Sequence, residues 1–222
     1  MMLSAVMEDY LKAIYQLQLN EPGRVSTSAI AEAVDVEPPT VTSMVGKLEK
    51  RGLVDREKYA GVELTEDGER VALEVIRHHR LLELFLTEEL DYSWSDVHDE
   101  ADRLEHHISE EFERRVAETL DDPEVDPHGD PIPGADLEPP EYGTATALTE
   151  HDEGDVVVVE AVSDRDPEVL DYLETHGVRP GVELVLVEIA PFGMVTVRGG
   201  GDETVSLPEH VARDVRVEPI ES

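Results

Sequence analysis

Apolar residues recur at intervals of three and four along residues 3–120. From residue 144 they recur at intervals of two, so the chain turns from helical to extended periodicity beyond its middle. Tyr10, Leu11, Ile14, Tyr15 and Leu17 share one face of a predicted helix over Leu3–Leu19, which Glu21-Pro22-Gly23 ends. Ser26 or Thr27 caps a second helix carrying Ile30, Ala31 and Val34. After a turn at Asp35–Glu37, Pro38-Pro39-Thr40 opens a third helix, since proline in the first turn forfeits no hydrogen bond. Val41, Met44, Val45 and Leu48 face inward on it, and Gly52 closes it. Two short strands, Leu53–Glu57 and Val62–Thr65, are joined by a turn at Lys58–Gly61. Helix, short helix, turn, helix, hairpin is the order of a winged helix-turn-helix.

A long helix is predicted over Glu66–Thr87, and two more within Trp94–Leu120, separated near Ser109. Asp121–Tyr142 holds six of the 14 prolines and cannot continue as helix, so it reads as a connector. Five strands follow, Val156–Val162, Glu183–Ile189, Met194–Arg198, Glu203–Leu207 and Val215–Val217, with one helix at Pro167–His176. Short strands at this spacing suggest a small β-barrel. The expected class is α+β in three domains: a winged helix-turn-helix over 1–72, a helical domain with the proline-rich connector over 73–142, and the barrel over 143–222.

Composition adds a strong acidic bias. There are 53 acids against 18 Lys and Arg, a net charge of −35, and the acids are spread along the chain. Such a coat suits a protein dissolved in concentrated salt, where screening offsets the mutual repulsion of carboxylates. Residues 24–58 break the rule, with six bases and six acids. A surface that approaches phosphate cannot carry the general acidic coat. Within that neutral stretch the third helix turns Thr40, Thr42, Ser43 and Lys47 outward, short hydroxyls and one cation suited to base edges and phosphates. Ser26 and Pro39, at the helix starts, complete the expected DNA-binding set.

The absence of cysteine excludes a disulfide scaffold, a thiolate zinc site, an iron–sulfur cluster and a cysteine nucleophile. Apolar runs such as Val156–Val159 fall far short of the roughly 18 residues of a membrane span, and no signal-like segment opens the chain, so a cytoplasmic location is expected.

Histidine is concentrated: five of nine fall between residues 78 and 107. His98, Asp102, Glu105 and His106 stand at i, i+4, i+7 and i+8 on the helix after Trp94, so all four are expected to project from one face. His79 and Glu83 stand at i and i+4 on the preceding helix. Imidazole and carboxylate without sulfur suit Mn(II) or Fe(II). His78 and His107 are expected at the surface, and His128, His151, His176 and His210 carry no signal of their own.

Several segments together resemble the metal-dependent transcriptional repressors of the diphtheria toxin repressor and manganese regulator family. They are Met7-Glu8-Asp9-Tyr10-Leu11, Pro39-Thr40-Val41-Thr42, His79-Arg80-Leu81-Leu82-Glu83, Val97-His98-Asp99-Glu100-Ala101-Asp102, Glu105-His106 and Gly129-Asp130-Pro131-Ile132-Pro133-Gly134. The β-rich end is similar to the FeoA-type domain that many members carry. The resemblance implies a homodimer that binds a palindromic operator in double-stranded DNA, with residues 73–142 as its helical dimerisation and metal-binding domain. It implies one metal site of Asp9, Asp102, Glu105 and His106 and a neighbouring one of His79, Glu83 and His98. Glu168 is the expected ligand from the C-terminal domain, with Asp166 behind it. Two departures matter. The iron branch has sulfur ligands where this chain has Asp9 and Asp102, and the manganese branch has an acid where this chain has Lys12. The expected function is repression of metal-uptake genes, activated by Mn(II) or Fe(II). The alternatives are a winged-helix regulator answering to an organic ligand, or a His/Glu metalloenzyme. An enzyme is not expected, because no separate nucleophile motif, glycine-rich phosphate loop or small-molecule substrate site is visible.

Overall fold

The computed structural model describes residues 3–191, 193–199 and 204–220. Its contacts divide the chain into two units: Met1–His79 with Leu104–Ser109 and Pro133–Pro140, and Arg80–Arg103 with Glu110–Ile132 and Glu141–Ser222.

In the first unit α1 (Ala5–Asn20), α2 (Thr27–Ala33) and α3 (Pro38–Glu49) are followed by the antiparallel hairpin β1 (Val54–Glu57) and β2 (Gly61–Leu64). Ser26 Oγ accepts from the Ala29 N–H at 3.0 Å, which satisfies one of the orphan donors that open α2. Val25 pairs with Val62 through both backbone bonds, fastening the hairpin to the segment before α2. Leu11, Ile14, Ile30, Leu48, Leu73 and Ile76 are fully buried in one core, each contributing roughly 1.5–3 kcal/mol. Leu137 packs against the same core, and the Arg77 Nη1 donates to the Pro133 carbonyl at 2.6 Å, so residues 133–140 belong to this unit rather than trailing as a linker.

The helix α4 (Glu66–Leu90) runs three residues beyond its expected end, and the division between units falls within it, after His79. In the second unit, α5 (Val97–Leu104) and α6 (Glu110–Thr119) precede a six-stranded antiparallel sheet of order β3-β8-β4-β5-β6-β7. The strands are β3 (Thr146–Ala147), β4 (Val156–Val162), β5 (Glu183–Ile189), β6 (Val195–Arg198), β7 (Thr204–Leu207) and β8 (Val215–Pro219). Two features were not foreseen: the two-residue β3 and the five-residue helix α8 (Glu209–Arg213), both too short to show a period. The expected barrel is corrected as well. Among the described residues β3 and β7 end the sheet without pairing to each other, so it stays open. The expected first residue of the fourth strand, Glu203, lies outside the described residues. Alternation on β4 and β5 buries Val157, Val159, Leu184 and Leu186 against Leu170 and Leu173 of α7 (Pro167–Thr175).

The proline-rich connector is ordered by its polar groups. Asp126 Oδ1 accepts from the His128 N–H at 2.8 Å and the Asp130 N–H at 3.0 Å, closing a tight turn. Gly129, at φ +89°, completes it, and a Cβ there would collide with the Glu160 carbonyl of β4. Arg80 is buried against Asp126, Asp130 and the Pro131 carbonyl, and Arg216 of β8 also pairs with Asp130.

Candidate metal centres and DNA-facing helix

The continuous face expected from His98 to His106 does not form. The helix α5 ends at Leu104, and the His107 N–H turns back onto the Leu104 carbonyl at 2.8 Å. Glu105 and His106 therefore sit on a turn that groups with the first unit, whereas His98 and Asp102 group with the second.

In the first unit the turn meets α1. His106 Nε2 lies 2.7 Å from Asp9 Oδ1 and 3.3 Å from Glu105 Oε1, and ligand-type atoms of these three residues lie within 4.8 Å of one another. His106 Nδ1 lies 2.7 Å from Glu8 Oε2, a contact that fixes which ring edge faces Asp9. Burial raises the Asp9 carboxyl above its ordinary value, and the nearby Glu105 charge adds to this against the opposing pull of His106 and Lys12. Glu105 is 2% exposed. Burial alone would raise it, but the bonds from His79 and Lys12 hold it below the usual range. Its Oε2 is 2.6 Å from His79 Nδ1 and 2.8 Å from Lys12 Nζ. His78, expected at the surface, is buried, its ring bonded to the Glu105 carbonyl at 3.0 Å. His107 is exposed, as expected.

The second unit holds another cluster. His98 Nδ1 is 3.1 Å from Glu83 Oε1 and 3.1 Å from Asp164 Oδ2, and its Nε2 is 3.7 Å from the exposed Asp102. Glu168, the expected ligand from the C-terminal domain, is exposed in the first turn of α7, where Asp166 caps the helix through the Glu168 and Val169 N–H groups. From that part of the chain it is Asp164, two residues before the cap, that reaches His98. Behind it, Glu83, Asp126 and His128 form a wholly buried trio with ligand-type atoms within 4.8 Å of one another. His128, which sequence reasoning passed over, is 0% exposed, stacked on Trp94 and bonded through Nε2 to the Trp94 carbonyl at 3.1 Å. Burial pulls its pKa down, yet the Glu83, Asp126 and Asp164 carboxylates outweigh this and lift it to about 9. Burial, reinforced by Glu83 and Asp130, lifts the Asp126 carboxyl far above its ordinary range. These residues stand on a helix, a connector turn and a β-domain loop, so no local spacing pointed to them. The density of acids hid which of them converge.

On the DNA-facing side, Thr40, Thr42, Ser43 and Lys47 are exposed on α3, and Pro39 is exposed in its first turn. Ser26 is exposed too, but its oxygen is engaged as the α2 cap. At the hairpin tip Tyr59 is 95% exposed, with Lys58 Nζ 4.9 Å from its ring centre. Arg24, by contrast, is committed to Asp55 and Glu63 of the hairpin. No helix among the described residues is long and apolar enough to cross a membrane.

Fold and clusters together point to a winged-helix DNA-binding regulator with carboxylate–imidazole clusters that could hold metal, and comparison with known proteins places the chain in such a family. Residues 2–62 match the N-terminal DNA-binding domain of the iron-dependent repressors, 65–134 their metal-binding and dimerisation domain, and 146–219 the FeoA domain. The chain is 39% identical over 225 residues to the iron-dependent repressor IdeR of Mycobacterium tuberculosis, covering 96% of each. It is 41% identical over 130 residues to the diphtheria toxin repressor of Corynebacterium diphtheriae, covering 58% of this chain and 57% of that one. Among solved structures, a manganese-dependent transcriptional repressor in complex with manganese superimposes with TM-score 0.88 at 38% identity, covering 96% of this chain and all of that one. ScaR with bound Zn2+ follows at TM-score 0.80 and 32% identity, covering 96% of this chain and 99% of that one. The chain belongs to the diphtheria toxin repressor and manganese regulator family of metal-dependent, DNA-binding transcriptional repressors. It is a regulator and not an enzyme.

Proposed function

We propose that the protein is a homodimer that silences metal-uptake genes when Mn(II) or Fe(II) is plentiful. Its expected three-part division at residues 72 and 142 would carry reading, metal sensing with dimerisation, and the FeoA-like domain. One ion would be held by Asp9, Glu105 and His106, and another by Glu83, His98 and Asp164 with Asp126 and His128 beside them. His79 and Asp102 stand next to these sets. The donors fit: all are carboxylate oxygens and imidazole nitrogens, gathered within 4.8 Å, the hard set that Mn(II) and Fe(II) accept. When bound, the ion supplies two positive charges among clustered carboxylates.

The observation that carries the reading is the seat of His106, 2.7 Å from both Asp9 and Glu8 of α1 although about a hundred residues away in sequence. Asp9 and Glu8 draw the 105–106 turn onto the first helix of the reading domain. An ion held jointly by Asp9, Glu105 and His106 would tie that turn to α1 and so favour one presentation of α3. Metal and operator affinities then rise by a common factor, since coupling between binding sites is reciprocal. In a dimer, the two recognition helices would address half-sites about 34–36 Å apart or at another fixed spacing. The acidic surface fits a protein working in concentrated salt. There counterion release adds little, and the hydroxyls of Thr40, Thr42 and Ser43 would carry more of the sequence discrimination.

The test is operator binding titrated with Mn(II) and with anaerobic Fe(II) in high potassium chloride. Glu105→Ala and His106→Ala should each abolish the metal-stimulated increase while circular dichroism and the dimer remain unchanged. Operator binding that stays metal-dependent in both variants refutes the assignment.

A further inference from the structure

The first cluster already contains a cation. Lys12 lies three residues after Asp9 and four after Glu8 on α1, and its side chain is only 14% exposed. Its Nζ is 2.8 Å from Glu105 Oε2 and 3.1 Å from His79 Nδ1. Glu105 is thus divided between two neighbourhoods: Oε1 faces His106 and Oε2 faces Lys12 and His79. A carboxylate with its two oxygens on opposite errands is what bridges a pair of metal ions, which in two-metal sites stand about 3.5–4 Å apart. Here the second errand is filled by an ammonium. Its two partners, a carboxylate oxygen and an imidazole nitrogen, are themselves ligand types for a divalent ion.

We propose that Lys12 sets the ion count of this cluster at one, its ammonium standing where a second divalent ion would otherwise bind. The inference rests on the assignment of Asp9, Glu105 and His106 to a metal. Charge supports it. Glu8, Asp9 and Glu105 bring three negative charges, which one divalent ion and one ammonium balance. A second divalent ion added to Lys12 would leave the pocket positive, and repulsion at such range in a mostly buried setting is strong. Replacing Lys12 with an acid gives four carboxylates, the complement of two divalent ions. Lys12 has a positioning role as well: by anchoring Oε2 it leaves Oε1 turned toward Asp9 and His106.

The experiment is Mn(II) titration of the full-length protein, read by calorimetric stoichiometry and low-temperature electron paramagnetic resonance. Wild type and Lys12→Arg should bind the same number of ions, with isolated Mn(II) signals. Lys12→Glu should bind one more per chain and show an exchange-coupled pair. Lys12→Gln, the second variant should the acid disturb folding, should also take an additional ion, more weakly than Lys12→Glu. A coupled pair in the wild type overturns the inference, as does an unchanged ion count in folded Lys12→Glu and Lys12→Gln. His106→Ala separates the two readings. If it lowers the wild-type count by one while the Lys12 variants change nothing, the site stands and the role of Lys12 falls. If it leaves the count unchanged, both fall.

Discussion

The two clusters are built from the same residue types and balance their charge differently. Around His106 the Asp9 side chain is 47% exposed, and a lysine neutralises Glu105. Around His128 every member of the Glu83, Asp126 and His128 trio is buried, and protons hold the charge down, since both Asp126 and His128 have raised pKa values. The first cluster carries a fixed cation, and water reaches it chiefly at Asp9. The sealed trio has no such access, and its own groups carry the protons.

That contrast can be broken first at the sealed site, where the largest effect is expected. His128 binds its proton more tightly in the folded protein (pKa about 9) than in an unfolded chain (6.5), so its stabilisation is complete below about pH 6.5 and is lost as pH rises through 9. Asp126 acts in the same direction, because the folded form keeps a proton that the unfolded chain has released. Metal-free protein should therefore lose stability from pH 6 to pH 9.5, by about 3 kcal/mol for the His128 contribution. Urea unfolding of wild type and His128→Gln checks this: the gap between them should be widest near pH 6 and narrow as pH rises, and a gap independent of pH contradicts it.

At the open site the expected effect is smaller. Glu8→Gln keeps the shape but removes the charge that orients His106, and should weaken Mn(II) binding by about tenfold, the lower end for an outer partner of a metal-ligating histidine. Calorimetry on the isolated variant measures it, and the fold should not change. The smallest effect belongs to the DNA-facing helix. Lys47→Gln should weaken operator binding a few-fold, alike across operator sequences, and lower the slope against log salt by about 1. A change in sequence preference instead would mean that Lys47 reads a base.

Elements with a full period were legible from residue spacing. The first four helices and the hairpin fall within a few residues of their expected bounds, because burial of one helix or strand face dictates that spacing. The short β3 and α8 were invisible because they are made by their neighbours in the sheet rather than by their own pattern. Of the candidate site, histidine density pointed to the region where the structure gathers imidazoles and carboxylates, but the helix break after Leu104 removed the single face. Asp164, Asp126 and His128 could not have been picked out, since each owes its position to a turn or loop closed by tertiary contacts. Glu8 was hidden in plain view: on α1 it neighbours the expected Asp9, and only the seat of His106 shows that both carboxylates contact its ring.

The break after Leu104 has a consequence for how such a sensor can change over generations. Glu105 and His106 hang from a short turn rather than from α5, so small edits there would shift the grip on α1 without disturbing the packing of α5 or α6. Drift of that kind would fall first on His106, because Glu105 is held by His78 and His79 of α4 and by Lys12 of α1.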